Sequence, residues 1–489
     1  MGTRADVAGR ATAYDSLLAK RDRRGLGRKL EITFAGAARE VTGSCHVLRV
    51  NGHTIALDCG MFQGKRSESN AKNRTLPVPI AELDAVVLSH AHIDHAGRLP
   101  FLIAQGYSKT IWSTAATRDL CAVMLADSAH IQEKDAEFLA KRKKEFIEPL
   151  YGMRHAVRTM DLMVGMPYNK PFNVVPGVTA TYVDAGHILG SASIVLDCTE
   201  NGVTKRLVFS GDIGRSGLAI IRDPVAPTGA HAVIMESTYG NRDHESVDGA
   251  RAHLARVIRE TAARGGRILI PAFAVGRTQE MLYNLHSLLR EGAIPSIPVY
   301  VDSPLAIDTT TVFQLHPETF DQSEEMVKRV QEIFEFPLLK YTRDVEESKA
   351  INAAKGPMIV IAASGMMEAG RILHHLANGA ADPRNTILVV GFQAEHTLGR
   401  RIVERQPTLR IFGDDVPLRA QVEIINGYSA HADRTELASW LDKVKSTSPD
   451  LGPVWLVHGE PEVQDEFATA LTAKGYTVTS PEPNARLSF

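Results

Sequence analysis

SHAHIDHAG, residues 89–97, sets His90, His92, Asp94 and His95 within a span of six residues. The stretch follows directly on the apolar run DAVVLS, so its side chains come where a buried strand ends and a helix begins. Because residues two apart in an extended chain face the same way, His90 and His92 can share one metal ion, while the turn directs Asp94 and His95 toward another. One short stretch therefore predicts ligands for two metal ions.

Two metal ions need more ligands than this stretch holds, since a catalytic zinc ion takes about three protein ligands and leaves one position for water. Three further candidates also follow apolar strands: His187 in DAGHILGSA, Asp212 in VFSGDIG and His458 in WLVHGE. A carboxylate between two cations is a natural bridge, and Asp212 would be costly at a strand end without such a partner. A lone histidine after a strand is more often a hydrogen-bonded core residue. Added to the first stretch, however, the three complete two coordination shells.

Composition restricts the class of protein. With 44% hydrophobic and 23% charged residues, the 489-residue chain is typical of a globular protein, and no apolar run reaches the roughly 18 residues that span a bilayer. A formal net charge of −2 excludes a basic protein that coats nucleic acid but allows a local basic cleft. The four cysteines form no CxxC pair and no disulfide framework, which indicates a reducing, cytoplasmic location.

The order of the apolar runs predicts two units of α/β architecture. From Leu30 to about residue 238, short runs such as LEITFAG, HVLRV and ASIVLDC predict a β-rich unit with antiparallel pairing at its start. After Tyr239, the runs RILIPAF, IPVYVDS, MIVIAAS and TILVVGF each precede a helical pattern, which predicts βαβ units and a parallel sheet. A helix over 434–446 and the run VWLVHGE return to the earlier style. We therefore predict an N-terminal extension at 1–29, a first unit at 30–238 and 421–489, and an inserted unit at 239–420.

These motifs carry a family resemblance. HAHIDHAG followed by GHILGSA, SGDIG and a late VHGE resembles the metallo-β-lactamase superfamily. MESTYGNRDH, YSAHAD and LVHGE narrow the resemblance to the β-CASP ribonucleases, in the branch similar to the endonuclease of mRNA 3′-end processing and its prokaryotic relatives. The likeness runs from about Leu30 to about residue 470. It implies an αββα sandwich with a dinuclear metal site, interrupted by a β-CASP domain built on a parallel sheet flanked by helices.

The resemblance also implies a role for each site residue. Two zinc ions would be held by these side chains: His90, His92 and His187 on one ion, Asp94, His95 and His458 on the other, and Asp212 between them, with Asp58 of LDCG supporting the site from behind. Asp94 would orient the nucleophilic hydroxide. Our hypothesis is that His431 gives a proton to the leaving sugar oxygen while Glu236 orients its ring. The DNA-directed branch usually has an aliphatic residue at the position of His458, so a histidine there favours RNA.

The inserted unit offers candidate phosphate contacts where strands run into helices. Free amide groups at helix N-termini attract anions. The three turns FAVGRTQEML, AASGMMEAGRILHHL and GFQAEHTLGRRI supply the candidates Arg277, Thr278, Ser364, Gly365 and Thr397. Gly and Ser are also routine at such turns without any ligand. His396 stands where relatives usually have glycine, and the sequence leaves open whether it contacts RNA or fills space.

The leading interpretation is a zinc-dependent ribonuclease that cuts single-stranded RNA between the two domains, in RNA processing or decay. Endonucleolytic cleavage is expected, with 5′ to 3′ exonucleolytic trimming left open. One alternative is a two-zinc hydrolase of a small ester, thioester or lactam, which would not need the long insertion. Another alternative is a non-catalytic RNA-binding scaffold. Every expected metal-ligand position in this sequence holds a histidine or aspartate, which argues against a scaffold that has lost its metals. We expect no membrane association and no obligate protein partner, and a homodimer stays open.

Overall fold

The protein is described by a computed structural model that covers residues 30–143, 148–320, 330–391, 393 and 395–489. The predicted N-terminal extension at 1–29 lies outside these residues. Within them, the strands form two seven-stranded sheets, one six-stranded sheet and one two-stranded hairpin. Nowhere in these ranges does a helix have the length and apolar character that crossing a membrane requires.

The first sheet opens with the antiparallel pairing that its closely spaced apolar runs predict. Glu31–Gly36 pairs with Cys45–Val50, which pairs with His53–Leu57, and the pairing then becomes parallel. A short strand near the C-terminus pairs with Glu31–Gly36 and closes this edge. The order across the described sheet is Arg486–Ser488, Glu31–Gly36, Cys45–Val50, His53–Leu57, Ala85–Val87, Ile111–Thr114 and Met163–Met166.

The second sheet packs face to face against the first. Its strand Val178–Asp184 alternates strictly between buried and half-buried residues, as expected for a strand with one face on a core. Phe34 of the first sheet and Phe209 and Trp455 of the second meet in the apolar layer between them. The order across the described sheet is Thr477–Thr479, Pro453–Val457, Ala232–Glu236, Val203–Phe209, Ala192–Glu200, Val178–Asp184 and Phe172–Val175.

Helices cover the outer face of each sheet. Leu99–Ala104 and Ala115–Lys143 pack on the first sheet, and Arg434–Ser446 and Pro461–Ala473 pack on the second. The layers therefore run α/β/β/α, which confirms the predicted sandwich. The shorter helices of this unit are Arg66–Asn73, Ile93–Ala96 and Met153–Leu162.

The inserted unit is the parallel sheet flanked by helices that the alternating pattern predicts. All five strand pairings in its six-stranded sheet are parallel. The order is Leu339–Tyr341, Val299–Val301, Met358–Ala362, Arg267–Pro271, Thr386–Val389 and Gln421–Ile424, and the hairpin pairs Thr408–Ile411 with Asp414–Pro417. The described helices are Val247–Ala263, Arg277–Arg290, Pro304–Leu315, Val345–Ala353, Ile372–Gly379 and Leu398–Val403.

One strand lies on the other side of the predicted boundary at residue 421. Gln421–Ile424 pairs in parallel with Thr386–Val389, so it forms an edge of the inserted sheet and does not belong to the sandwich. Its short apolar alternation looks the same in either sheet, because only the neighbouring strand decides the pairing. We therefore propose that the inserted unit extends to Ile424 and that the chain returns to the sandwich after it. The other domain limits remain predictions.

A buried histidine in the sandwich core gives a stability prediction. The His46 ring is 0% exposed and packs edge-on between Phe34 and Phe209, with ring centroids 5.4 and 5.3 Å away. Neither ring nitrogen has a hydrogen-bond partner among the described residues, and burial lowers its pKa to about 3. We expect His46→Phe to stabilise the fold by about 1–3 kcal/mol at pH 7, since it removes an unsatisfied buried polar group.

The gain from His46→Phe should grow in acid. The unfolded ring takes up a proton below its usual pKa of about 6.5, whereas the folded ring does not until about pH 3. Stability that depends on a neutral His46 is therefore lost as the pH falls from about 6.5, by roughly 2 kcal/mol at pH 5. Thermal melts at pH 7 and pH 5 measure this, with His130→Phe at an exposed position as the control. An unchanged melting temperature at both pH values would contradict it.

Candidate metal centre

The predicted ligands meet because several strands end at one edge of the sandwich. Val203–Phe209, Ala232–Glu236 and Pro453–Val457 are adjacent and parallel in the second sheet, so their carboxyl ends lie side by side. Asp212, Glu236 and His458 stand at these three ends. The stretch 89–97 follows Ala85–Val87 of the first sheet and opens the helix Ile93–Ala96. Residues far apart in sequence thus converge between the two sheets.

One cluster consists of His90, His92, His187 and Asp212, whose ligand atoms all lie within 4.8 Å of one another. Nδ1 of His92 is 3.1 Å from both His90 Nε2 and His187 Nε2. Nδ1 of His187 donates to the carbonyl of Ala430 at 3.2 Å, which leaves its Nε2 without a proton in the neutral ring. Burial lowers the pKa of His90 and His187 well below the usual value and that of His92 to about 4. Neutral nitrogen atoms thus face one another, an arrangement that a cation would stabilise.

The second cluster consists of Asp94, His95 and His458. Nε2 of His458 is 3.2 Å from His95 Nε2 and 3.5 Å from Asp94 Oδ2. Burial lowers the pKa of His95, but the carboxylates of Asp212 and Asp58 raise it well above its usual value, which shows that this position attracts positive charge.

Asp212 joins the two clusters. Its Oδ2 is 3.5 Å from His90 Nε2 and 3.3 Å from His95 Nε2, and its Oδ1 is 3.7 Å from His458 Nε2. The residue is only 2% exposed, and Oδ1 has no hydrogen-bond partner among the described residues. An unpartnered carboxylate oxygen buried between two histidine clusters fits a group that binds cations on both sides. Imidazole and carboxylate donors together suit a divalent transition metal, so the residues fit a metal cofactor.

Hydrogen bonds behind the clusters fix which ring nitrogen faces inward. Asp58 Oδ2 lies 2.7 Å from His95 Nδ1 and also accepts from the Ser89 hydroxyl at 2.9 Å. Thr238 Oγ1 is 3.0 Å from Nδ1 of His458. In both histidines Nε2 is thereby turned toward the metal position. Asp58 was predicted to support the ligands in this way, but Ser89 and Thr238 were not. The available signal for both was a hydroxyl residue next to a motif of the site, HAHIDH for Ser89 and MES for Thr238.

The contact between Asp58 and His95 predicts the metal affinity of a variant. We expect Asp58→Asn to weaken zinc binding about 10-fold to 100-fold, because a neutral amide polarises the His95 ring less than a carboxylate does. Competition with a coloured zinc chelator measures the affinity. Asp197→Asn is a matched control, since Asp197 pairs with Arg206 on the outer part of the sheet and contacts no predicted ligand. Equal affinity in the two variants would contradict the role.

Glu236 and His431 pair beside the clusters. Nδ1 of His431 is 3.1 and 3.3 Å from the two carboxylate oxygens of Glu236. Those oxygens also accept the backbone N–H groups of Ile213 at 2.6 Å and Thr238 at 3.3 Å. Glu236 lies within ligand distance of Asp212 and His458 as well. Because both of its oxygens are already hydrogen-bonded, we interpret it as the partner of His431 and not as a ligand.

The charge state of His431 follows from its neighbours. Burial lowers the pKa of His431, but the carboxylates of Glu236, Asp212 and Asp94 raise it to about 9. These carboxylates therefore favour the protonated ring at neutral pH. Since Nδ1 faces Glu236, Nε2 is the nitrogen that can give up a proton.

Comparison with known proteins agrees with this geometry. Family models match three parts of the chain: the metallo-beta-lactamase superfamily at 38–127, the Beta-Casp domain at 278–402, and the Zn-dependent metallo-hydrolase RNA specificity domain at 415–481. A protein of Thermus thermophilus named ribonuclease TTHA0252 is 37% identical over 454 residues, which cover 92% of this chain and 98% of that one. The chain belongs to the β-CASP ribonuclease family.

Two further comparisons extend this result. Transcription termination factor FttA of Methanosarcina mazei is 30% identical over 458 residues, covering 91% of this chain and 69% of that protein. A solved structure of a protein of unknown function from Enterococcus faecalis superposes with a TM-score of 0.52 at 11% identity, covering 94% of this chain and all of that one. The latter likeness concerns the fold alone.

A cleft of about 1200 Å³ is walled by the sandwich on one side and the β-CASP domain on the other. Ser364, His396 and Thr397 line it, as predicted for substrate contacts. Gly365 lies behind Ser364 and accepts a hydrogen bond from Gln393 through its carbonyl. His396 has φ +66, a left-handed conformation that glycine adopts most easily and a histidine adopts rarely.

The structure places Arg277 and Thr278 away from this cleft. Thr278 is 1% exposed, and its hydroxyl donates to the carbonyl of Phe273 at 2.9 Å, so it supports the backbone and does not face a phosphate. Arg277 is 7% exposed and borders a small cavity beside His187. Burial lowers its pKa to about 10, so it remains charged. Thr278, predicted as a substrate contact, is thus buried at the turn and does not line the cleft.

The helix that begins after Thr397 is already capped. The N–H of Leu398 donates to Glu368 Oε1 at 2.6 Å, and the Thr397 hydroxyl accepts from the Arg400 N–H at 3.1 Å. The Glu368 carboxylate thus occupies the N-terminus of this helix, where the sequence predicted that a phosphate would bind. Glu368 lies 30 residues away along the chain, so no local pattern could have indicated it. Any substrate contact by Thr397 must come from the rest of its surface in the cleft.

Proposed function

We propose that the protein is a ribonuclease that hydrolyses phosphodiester bonds of single-stranded RNA with the aid of two zinc ions. The proposal is carried by Asp212, whose carboxylate lies between two histidine clusters. One zinc ion would be held by His90, His92 and His187 and the other by Asp94, His95 and His458, with Asp212 shared between them. A pair of bound zinc ions supplies Lewis acidity, which lowers the pKa of water toward about 7 and stabilises charge on phosphate oxygens.

Two side chains of the site stay accessible to a substrate. Asp94 and His431 are 20% and 19% exposed at their side chains, whereas His458 is 3% exposed. Burial raises the pKa of Asp94, but its hydrogen bond with His458 and the charge of His95 lower it to about 2, so the carboxylate is ionised and can orient an attacking water molecule. His431 carries a proton and can give it to the departing sugar oxygen while Glu236 holds its ring.

The shape of the site favours RNA over a small ester, thioester or lactam. A cleft of about 1200 Å³ exceeds the roughly 300–1000 Å³ of pockets that enclose small ligands. One relative is named a ribonuclease and another a transcription termination factor, and both names refer to RNA. The match at 415–481 is to an RNA specificity domain. A non-catalytic scaffold would not need Asp94 and His431 in reach of the substrate. We propose Ser364, His396 and Thr397, which line the cleft, as contributors to RNA binding.

We also propose a cytoplasmic location. All four cysteines are buried and unpaired, which is consistent with the predicted cytoplasmic location. The absence of an obligate protein partner remains a prediction, and whether the protein forms a homodimer stays open.

End-labelled RNA tests the function. Zinc-loaded protein is incubated with one single-stranded RNA labelled at either end, beside a DNA strand of the same sequence. Internal fragments from the RNA, absent with metal-stripped protein, establish a metal-dependent endoribonuclease, and mononucleotides released from the 5′ end establish an exonuclease. If zinc-loaded protein leaves the RNA intact but hydrolyses a thioester, the ribonuclease proposal is wrong.

A further inference from the structure

Phe273 is an exposed aromatic residue in the wall of the cleft. It follows the strand Arg267–Pro271 of the β-CASP sheet, and the residue is 39% exposed. Large apolar side chains at a strand end are usually buried. No role in metal binding or proton transfer falls to a phenyl ring, so its exposure inside a cleft calls for a ligand with an apolar face.

The ring lies at the metal end of the cleft. Its centroid is 6.3 Å from that of His92, with an angle of 47° between the planes. Met61 and Met366 line the same cleft and are half-buried. Phe273, Met61 and Met366 therefore give a lining that is otherwise rich in charged and polar residues an apolar component, and the ring of Phe273 contacts His92.

The position of the ring is fixed by its surroundings. The carbonyl of Phe273 accepts hydrogen bonds from the Thr278 hydroxyl at 2.9 Å and the Thr278 N–H at 3.3 Å. On the other side, a Cβ atom on Gly365 would lie 2.7 Å from the ring, so glycine at this turn leaves the space that the ring occupies. A ring held in this way loses little freedom when it binds a ligand.

We propose that Phe273 stacks on the base of a nucleotide next to the scissile phosphate and so positions that phosphate over the metal centre. The inference rests on the proposed ribonuclease function and names a substrate contact that the metal ligands do not provide. Every base has a flat face, so stacking on Phe273 tolerates all four bases. A base inside a duplex is already stacked on both sides, so the contact selects single-stranded substrate.

Three substitutions test the stacking. Phe273→Leu keeps an apolar side chain but removes the flat face, Phe273→Ala removes both, and Phe273→Tyr keeps the ring. We expect kcat/KM for single-stranded RNA to fall about 5-fold to 150-fold in the Leu and Ala variants and to stay near wild type in the Tyr variant. Zinc content should be unchanged in all three. Phe412→Leu is the matched control, because Phe412 is 56% exposed on the hairpin and packs on His374, outside the cleft.

An abasic scan separates stacking from a structural effect. RNA affinity is measured by fluorescence anisotropy in a His431→Ala background, which is expected to bind RNA without turning it over, using oligonucleotides that lack one base at successive positions. With Phe273 present, one position should lose affinity by the same factor as Phe273→Leu. In the Leu variant, removing the base at that position should cause no further loss of RNA affinity, because the ring on which the base would stack is already absent.

The outcomes distinguish this inference from the proposed function. If the protein cleaves RNA but the Leu variant equals wild type, or if the two losses add at every abasic position, the stacking role is wrong while the ribonuclease proposal stands. If neither wild type nor the His431→Ala protein binds or cleaves RNA, both proposals fail.

Discussion

We expect Asp212→Ala to bind fewer than two zinc ions and to cleave RNA more than about 100-fold more slowly than wild type, since partners outside the ligand set alone are worth about 10-fold to 100-fold. The reason is the position of the carboxylate, which lies within 3.3 to 3.7 Å of nitrogen atoms in both clusters. Removing it leaves two groups of histidines with no shared anion to offset the charge of two nearby cations. Elemental analysis of the purified protein gives the zinc content, and end-labelled RNA gives the rate.

Two further variants make the Asp212 result specific. Asp212→Asn keeps the shape but removes the charge, and it should also lose zinc. Asp197→Ala, in the same sheet, removes a carboxylate that pairs with Arg206 and should retain zinc and activity. An Asp212→Ala protein that keeps two zinc ions and normal cleavage would refute the shared position of this carboxylate.

The second large effect concerns proton transfer. We expect His431→Ala to keep its zinc while turnover falls about 100-fold to 10,000-fold, the range typical of a lost general acid. His431 Nδ1 bonds to Glu236 at 3.1 Å and lies 3.9 Å from Asp212, so the metal clusters are complete without it. Parallel measurements of zinc content and single-turnover cleavage check both halves. Loss of zinc in this variant would mean that His431 is a ligand.

The pH profile of Glu236→Gln tests how His431 is held. Glu236 is the strongest of the carboxylates that raise the pKa of His431 to about 9. A general acid works while protonated, so activity falls as the pH rises through that pKa. Without the Glu236 charge the pKa drops, and the alkaline limb of the kcat profile should move to lower pH. An alkaline limb that stays in place would show that another group donates the proton.

The clustering of the predicted metal ligands could be foreseen because the signal for each is local. His90 to His95 follow one apolar strand, and His187, Asp212 and His458 each follow another. Since adjacent parallel strands end at the same edge of a sheet, local patterns were enough to bring these residues together. The parallel sheet followed from the same kind of pattern, whereas the layered sandwich was implied by the family resemblance.

The features that could not be predicted from the sequence depend on contacts between segments that are distant along the chain. Whether a turn faces the cleft depends on the packing around it, so Thr278 and Phe273, five residues apart, could not be told apart in advance. The capping of Leu398 by Glu368 joins two separate turns. Gln421–Ile424 pairs with Thr386–Val389 at the edge of the inserted sheet, and the sequence of the strand alone does not say which sheet has an open edge for it.

The position of His458 has a consequence for how the enzyme is made. His458 follows a strand that lies in the interior of the second sheet, and its ring must reach His95, which lies 363 positions earlier in the chain. A growing polypeptide that ends before this strand lacks one strand of the second sheet and one side chain of the second cluster. We therefore expect nuclease activity to arise only after the strand Pro453–Val457 and His458 have been synthesised, because the two segments that form the second cluster are not both present before then.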